Sequence, residues 1–130
     1  LLEAIPKIQN SNIVILGSRF IGNIDRENIY LRTYLANKVF SFLFSMFRDF
    51  KVSDVATCYK LISKDIYKII EIEKNGFDFE IEILHKALKN CEFYAEVPIN
   101  YSGRSYNDGK KIKLVDGFRY LKAILIDYNK

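Results

Sequence analysis

Residues 13–20 read Ile13-Val14-Ile15-Leu16-Gly17-Ser18-Arg19-Phe20, four apolar residues in a row closed by a glycine and followed by a cation. A run of this kind has no polar face to give to water. It reads as a strand buried on both sides, as in a parallel-type sheet flanked by helices, and this sets the fold class as α/β. The same stretch places Arg19 at the carboxyl end of that strand, outside which open α/β sheets bind their ligands. Arg19 is then either a surface ion pair or a cation facing a cleft.

Outward from this strand, Leu1, Leu2, Ile5 and Ile8 recur at helical spacing, and Asn10-Ser11-Asn12 turns the chain. Downstream, Phe20 to Asn28 is a polar loop, and Ile29 opens a helical pattern that runs to Phe47. Its apolar positions include Tyr30, Tyr34, Val39, Leu43 and Phe47, and Arg32, Lys38 and Arg48 ride the same segment. From Val39 to Phe47 the pattern is apolar nearly all round, which fits burial in the core, packing on a partner, or an interfacial membrane helix with basic flanks. Phe40 and Phe44 are the side chains that would carry membrane contact.

Asp54 follows between apolar residues, shortly before a strand expected over Cys58 to Ile62. A carboxylate there either caps a turn or works as a base or anchor in a cleft. Ser63 is placed to cap a short helix, Lys64 to Ile70, with Ile66, Ile69 and Ile70 inward. After Asn75-Gly76 a helix from about Glu80 to Leu88 carries Ile81, Leu84 and Leu88 as its buried stripe. Glu80 and Glu82 lie in its first turn, on different faces, where the helix dipole favours negative charge. His85, the only histidine, is expected at the solvent edge. Glu92 to Ile99 reads as a strand closed by Pro98. A last helix starts at Val115 or Asp116, with Phe118, Leu121, Leu125 and Tyr128 on one side.

Between that strand and that helix lies Tyr101 to Gly117, YSGRSYNDGKKIKLVDG. Gly103 and Gly109 let backbone approach an anion, Arg104 offers a planar fork of donors, and Lys110 and Lys111 add mobile positive charge. This combination suits phosphate, and a solvated basic loop is the competing reading.

The 130 residues suffice for one globular domain, residues 1–130, with a real core, at 49% hydrophobic and 15% aromatic content. A formal charge of +4 favours anionic partners. The basic residues are scattered and match no RNA or DNA motif, so nucleic acid is not expected as a partner. Cys58 and Cys91 lie far apart without neighbouring ligands and read as reduced, part-buried thiols of a cytoplasmic protein. The longest nearly apolar run is too short to span a bilayer. The chain opens Leu1-Leu2-Glu3 and its single methionine is Met46, so it is expected to be a piece of a longer protein.

Five blocks in order, GSRF at 17–20, VSDVATCYK at 52–60, GFDFEIEIL at 76–84, EVPINYSGRSYNDGKKI at 96–112 and DGFRYL at 116–121, resemble the second half of family 2 glycosyltransferases. The nearest subgroup is that of the polyprenyl-phosphate (dolichol-phosphate mannose synthase-like) and cell-wall biogenesis enzymes. The resemblance implies an incomplete GT-A fold, its C-terminal, acceptor-side half with a small mixed sheet flanked by helices. It also implies a nucleotide-sugar donor, a divalent metal (Mg or Mn), and sugar transfer to a lipid phosphate or glycan acceptor at the cytoplasmic membrane face. The nucleotide-binding half and its metal-binding Asp-x-Asp precede this region in the family. No Asp-x-Asp occurs in this sequence, so that half is expected to be missing or to be a separate chain, the 130 residues alone to be inactive, and metal ligands to be absent here.

By the same resemblance Arg19 meets acceptor phosphate, Asp54 lies near the reacting centre as a candidate base, and Glu80 lies near the acceptor. Arg104, Lys110 and Lys111 close over phosphate, and Arg32 falls near a second acceptor arginine. The alternative reading is a non-catalytic remnant that binds anionic membrane or a partner enzyme.

Overall fold

A computed structural model describes residues 12–23, 26–27, 30–76, 78–103 and 114–125. The expected helix over Leu1 to Ile8, the basic residues Arg104, Lys110 and Lys111, and Tyr128 lie outside these.

The strand that opened the sequence reading forms as β1, Ile13–Ser18, and every residue in it is buried. It is the central strand of a three-stranded mixed sheet. On one side it pairs antiparallel with β3, Lys60–Ile62, with Ile15 opposite Leu61. On the other it pairs parallel with β4, Phe93–Pro98, with Ile15 opposite Ala95. Both flanks of its backbone are thereby hydrogen-bonded, which is what a strand with no polar face requires. A second, minimal sheet joins β2, Arg26–Glu27, to β5, Tyr101–Ser102, in parallel. Two-residue strands leave no periodic signal, and the sequence pattern did not reveal them.

Four helices complete the described architecture: α1 Leu31–Arg48, α2 Lys64–Ile69, α3 Phe79–Lys89 and α4 Leu114–Leu125. The chain is thus a mixed α/β unit with a small sheet flanked by helices. The core joins Val14 and Leu16 of β1 to Phe44 of α1, Ile66 of α2, Ile81, Leu84 and Leu88 of α3, and Tyr120, Ala123 and Ile124 of α4. The expected α3 stripe is therefore the buried one.

Several orientations differ from the sequence expectation. In α2 only Ile66 is buried, and Ile69 points to solvent. Ser63 makes no side-chain cap; its Oγ accepts the N–H of Ile13 at 3.3 Å and ties α2 to β1. Phe118 of α4 is exposed, because the inward face of that helix runs through Tyr120, Ala123 and Ile124. In α1, Phe44 is fully buried and Phe40 packs against the core, whereas Val39 and Phe47 are exposed. Arg48, the last residue of α1, is buried and donates to the carbonyl oxygens of Ala123 and Ile124 at 3.1 and 2.8 Å. It thereby neutralises the negative end of α4.

Candidate functional site

The end of β1 is fastened from three directions. A Cβ on Gly17 would sit 2.8 Å from Ile99 Cγ2 and 2.9 Å from Cβ of Tyr59, so only glycine lets the strand pass. Ser18 is buried, its Oγ 2.6 Å from Ser53 Oγ, and its carbonyl accepts the N–H of Ile99. Ser53 in turn donates its N–H to Glu96 Oε1 at 2.9 Å. The segment bearing Asp54 is thus held against both β1 and β4.

Arg19 leaves this anchored strand and meets Asp54 in a fork. Its Nε and Nη2 donate to Oδ2 and Oδ1 at 2.7 and 2.6 Å, and its backbone N–H adds a third bond to Oδ2 at 3.0 Å. Asp54 is fully buried and the Arg19 side chain is 12% exposed. Burial opposes the arginine charge, but the hydrogen bonds and attraction to Asp54 outweigh it and hold the guanidinium above its ordinary pKa. The guanidinium carbon lies 5.0 Å from the Tyr101 ring centre and 5.4 Å from that of Phe20. Lys38 of α1 approaches the same Phe20 ring at 4.8 Å, and Tyr34 meets that ring edge-on at 5.2 Å. The result is a rigid planar cation between aromatic walls, with a second cation nearby.

This geometry refines the role of Asp54. Both its oxygens accept hydrogen bonds from Arg19, and so Asp54 orients the guanidinium.

Glu80 sits in the first turn of α3 and pairs with Lys60 Nζ, which also donates to the Thr57 carbonyl. Tyr120 of α4 stands in electrostatic reach of both pairs. Burial pushes its phenol well above the ordinary value, Glu80, Cys58 and Asp54 push it further, and Arg19 works against them. Arg19 and Asp54 are therefore brought into contact, while Glu80 is engaged with Lys60. Lys60, Lys38, Tyr101, Phe20 and Tyr120 were missed as site residues. Phe20, Lys60, Tyr101 and Tyr120 stood inside the quoted blocks, but nothing in those blocks announces which side chains gather around Arg19 and Glu80.

No family model matches the chain, and no solved structure matches it.

The divalent metal implied by the resemblance finds no fit among the described residues. No three His, Cys, Asp or Glu side chains converge there, and Asp54 and Glu80 are already paired with cations. Among the described residues no helix is long and apolar enough to cross a membrane.

Two further side chains depart from expectation, His85 of α3 and Cys58 ahead of β3. His85 is buried, not at the solvent edge, and burial with nearby Arg48, Lys89 and Lys86 lowers its pKa to about 4. Glu82 is fully buried: it accepts the backbone N–H of Glu73 and Lys74 and an ion pair from Lys86 at 2.7 Å. Cys58 is an exposed free thiol, and Cys91 is half-buried and free.

Proposed function

We propose that this chain supplies the acceptor side of a family 2 glycosyltransferase of GT-A fold, with Arg19 as the phosphate-recognising cation. The observation that carries this reading is the Arg19–Asp54 fork at the carboxyl end of the central strand, walled by Phe20 and Tyr101. A guanidinium already oriented by one carboxylate presents fixed charge to an incoming anion without first losing side-chain entropy.

In this reading an acceptor oxygen attacks the anomeric carbon of the donor sugar, and the bond from that carbon to the leaving diphosphate breaks with its electron pair on the phosphate oxygen. A phosphate acceptor is ionised at neutral pH and needs no base, which suits an Asp54 whose oxygens are engaged. Arg19 offsets charge on the acceptor, and Tyr101 and Phe20 shield that attraction from water. By resemblance, Arg104, Lys110 and Lys111 close over donor or acceptor phosphate. By the same resemblance, the nucleotide pocket would be formed by the half that precedes this region in the family.

The test is transfer of labelled sugar from a panel of nucleotide-diphospho-sugars to a polyprenyl phosphate, using the chain together with its nucleotide-binding half. Arg19→Lys, which keeps charge but loses the fork, and Asp54→Asn are each expected to lower turnover by more than about tenfold. Near-wild-type turnover in both variants would remove Arg19 and Asp54 from the site.

A further inference from the structure

Tyr120 of α4 is only 8% exposed, and its hydroxyl makes no hydrogen bond to any described residue. A phenol this deep ordinarily finds a partner for its O–H, because burying a bare hydroxyl forfeits the hydrogen bonds it made to water. The ring itself is well held. It packs against Phe40 of α1, centre to centre 5.5 Å, and belongs to the same core cluster as Val55 and Ile81, the chain neighbours of Asp54 and Glu80. Helix α4 packs on α1 and on α3, whose first turn carries Glu80. The hydroxyl accordingly lies near two ion pairs, Arg19 with Asp54 and Lys60 with Glu80, and feels the charge of Glu80, Arg19 and Asp54. For packing alone, phenylalanine would serve.

The surroundings select the missing partner. Both nearby carboxylates are already committed, Asp54 to the Arg19 fork and Glu80 to Lys60. Burial, and after it the charge of Glu80, Cys58 and Asp54 against that of Arg19, keeps the phenol protonated, so at neutral pH it is a donor. A donor beside an oriented guanidinium suits an anionic oxygen, to which a hydrogen bond is roughly twice as strong as to a neutral one. We propose that Tyr120 is a further ligand-contacting residue of the Arg19 site, its O–H donating to a phosphate oxygen of the acceptor while the guanidinium offsets the charge of the same group. This rests on the acceptor-phosphate reading and adds to it a donor from α4. A hydroxyl kept for a ligand leaves the free protein weaker and the complex stronger.

Tyr120→Phe tests it, since it deletes the hydroxyl and keeps the ring against Phe40. Two quantities are measured on the wild-type chain and the variant: the urea midpoint without ligand, and the affinity for geranyl phosphate, a soluble phosphate monoester, by titration calorimetry. The free variant is expected to be as stable as the wild type or more so, while its affinity for geranyl phosphate falls about tenfold. Arg19→Lys is expected to weaken the same binding. A Tyr120→Phe chain that is less stable without ligand yet binds geranyl phosphate as the wild type does would reveal a structural hydrogen bond and overturn the proposal. So would a wild-type chain that binds geranyl phosphate no better than geraniol, which lacks the phosphate. Weakened binding in Arg19→Lys with none in Tyr120→Phe overturns this proposal alone, and undiminished binding in both variants overturns the acceptor-phosphate reading with it.

Discussion

Asp54 and Glu82 are both fully buried carboxylates saturated with donors, yet they serve opposite ends. Glu82 spends its oxygens on the backbone N–H groups of residues 73 and 74 and on Lys86, so it holds a connecting segment against α3. Asp54 spends its oxygens on one guanidinium, which it holds at a strand end between two rings. A buried, fully bonded carboxylate is thus no mark of chemistry by itself. What separates the two is the set of partners: a backbone segment and a helical lysine in one case, a guanidinium gripped by both carboxylate oxygens in the other.

The sharpest break of this comparison comes from stranding a charge. Arg19→Ala leaves Asp54 buried without its cation and is expected to cost about 3–5 kcal/mol, read as a lowered urea midpoint. A loss under about 1 kcal/mol would mean that water reaches Asp54 and that the pair behaves as a surface one.

Acid should reveal the α3 flank next. His85 has a folded pKa of about 4 against an ordinary 6.5. The unfolded chain therefore binds the proton more readily, so stability is complete above about pH 6.5 and falls as pH drops toward 4. At about 1.4 kcal/mol per unit the loss is on the order of 3 kcal/mol, and His85→Gln should flatten a stability profile measured by denaturant titration across that range. Glu82 acts with the same sign lower down. Burial resists its charge, but Lys86 and the two backbone donors hold its pKa below the ordinary 4.5, so its contribution is present above 4.5 and is lost as pH falls through the depressed value.

Smallest and most discriminating is Glu82→Gln, expected to lower stability by about 2 kcal/mol while leaving turnover per folded molecule unchanged. A turnover loss equal to that of Asp54→Asn would erase the distinction between the two carboxylates.

Much of the frame was legible because it rests on local pattern. Four apolar residues before a glycine read as a strand buried on both faces, and β1 is such a strand at the centre of its sheet, with Arg19 at its end. The stripe of Ile81, Leu84 and Leu88 needed only helical spacing. What stayed hidden depends on contacts between distant residues. Nothing in a helix that is apolar all round tells Phe42 from Phe44, because periodicity fails when every face is greasy. His85 and Glu82 look like surface residues until residues 73 and 74 and α1 fold over them. The fork between Arg19 and Asp54 spans 35 positions, and each half by itself reads equally well as a surface ion pair or a turn cap.

The bonds from Arg48 to the end of α4 join residues 75 and 76 positions apart. Closing so long a loop costs entropy, so these bonds tie together parts of the chain that local structure alone would leave apart. Arg48 thus clamps onto each other the two ends of the long stretch that holds β3, α2, α3 and β4.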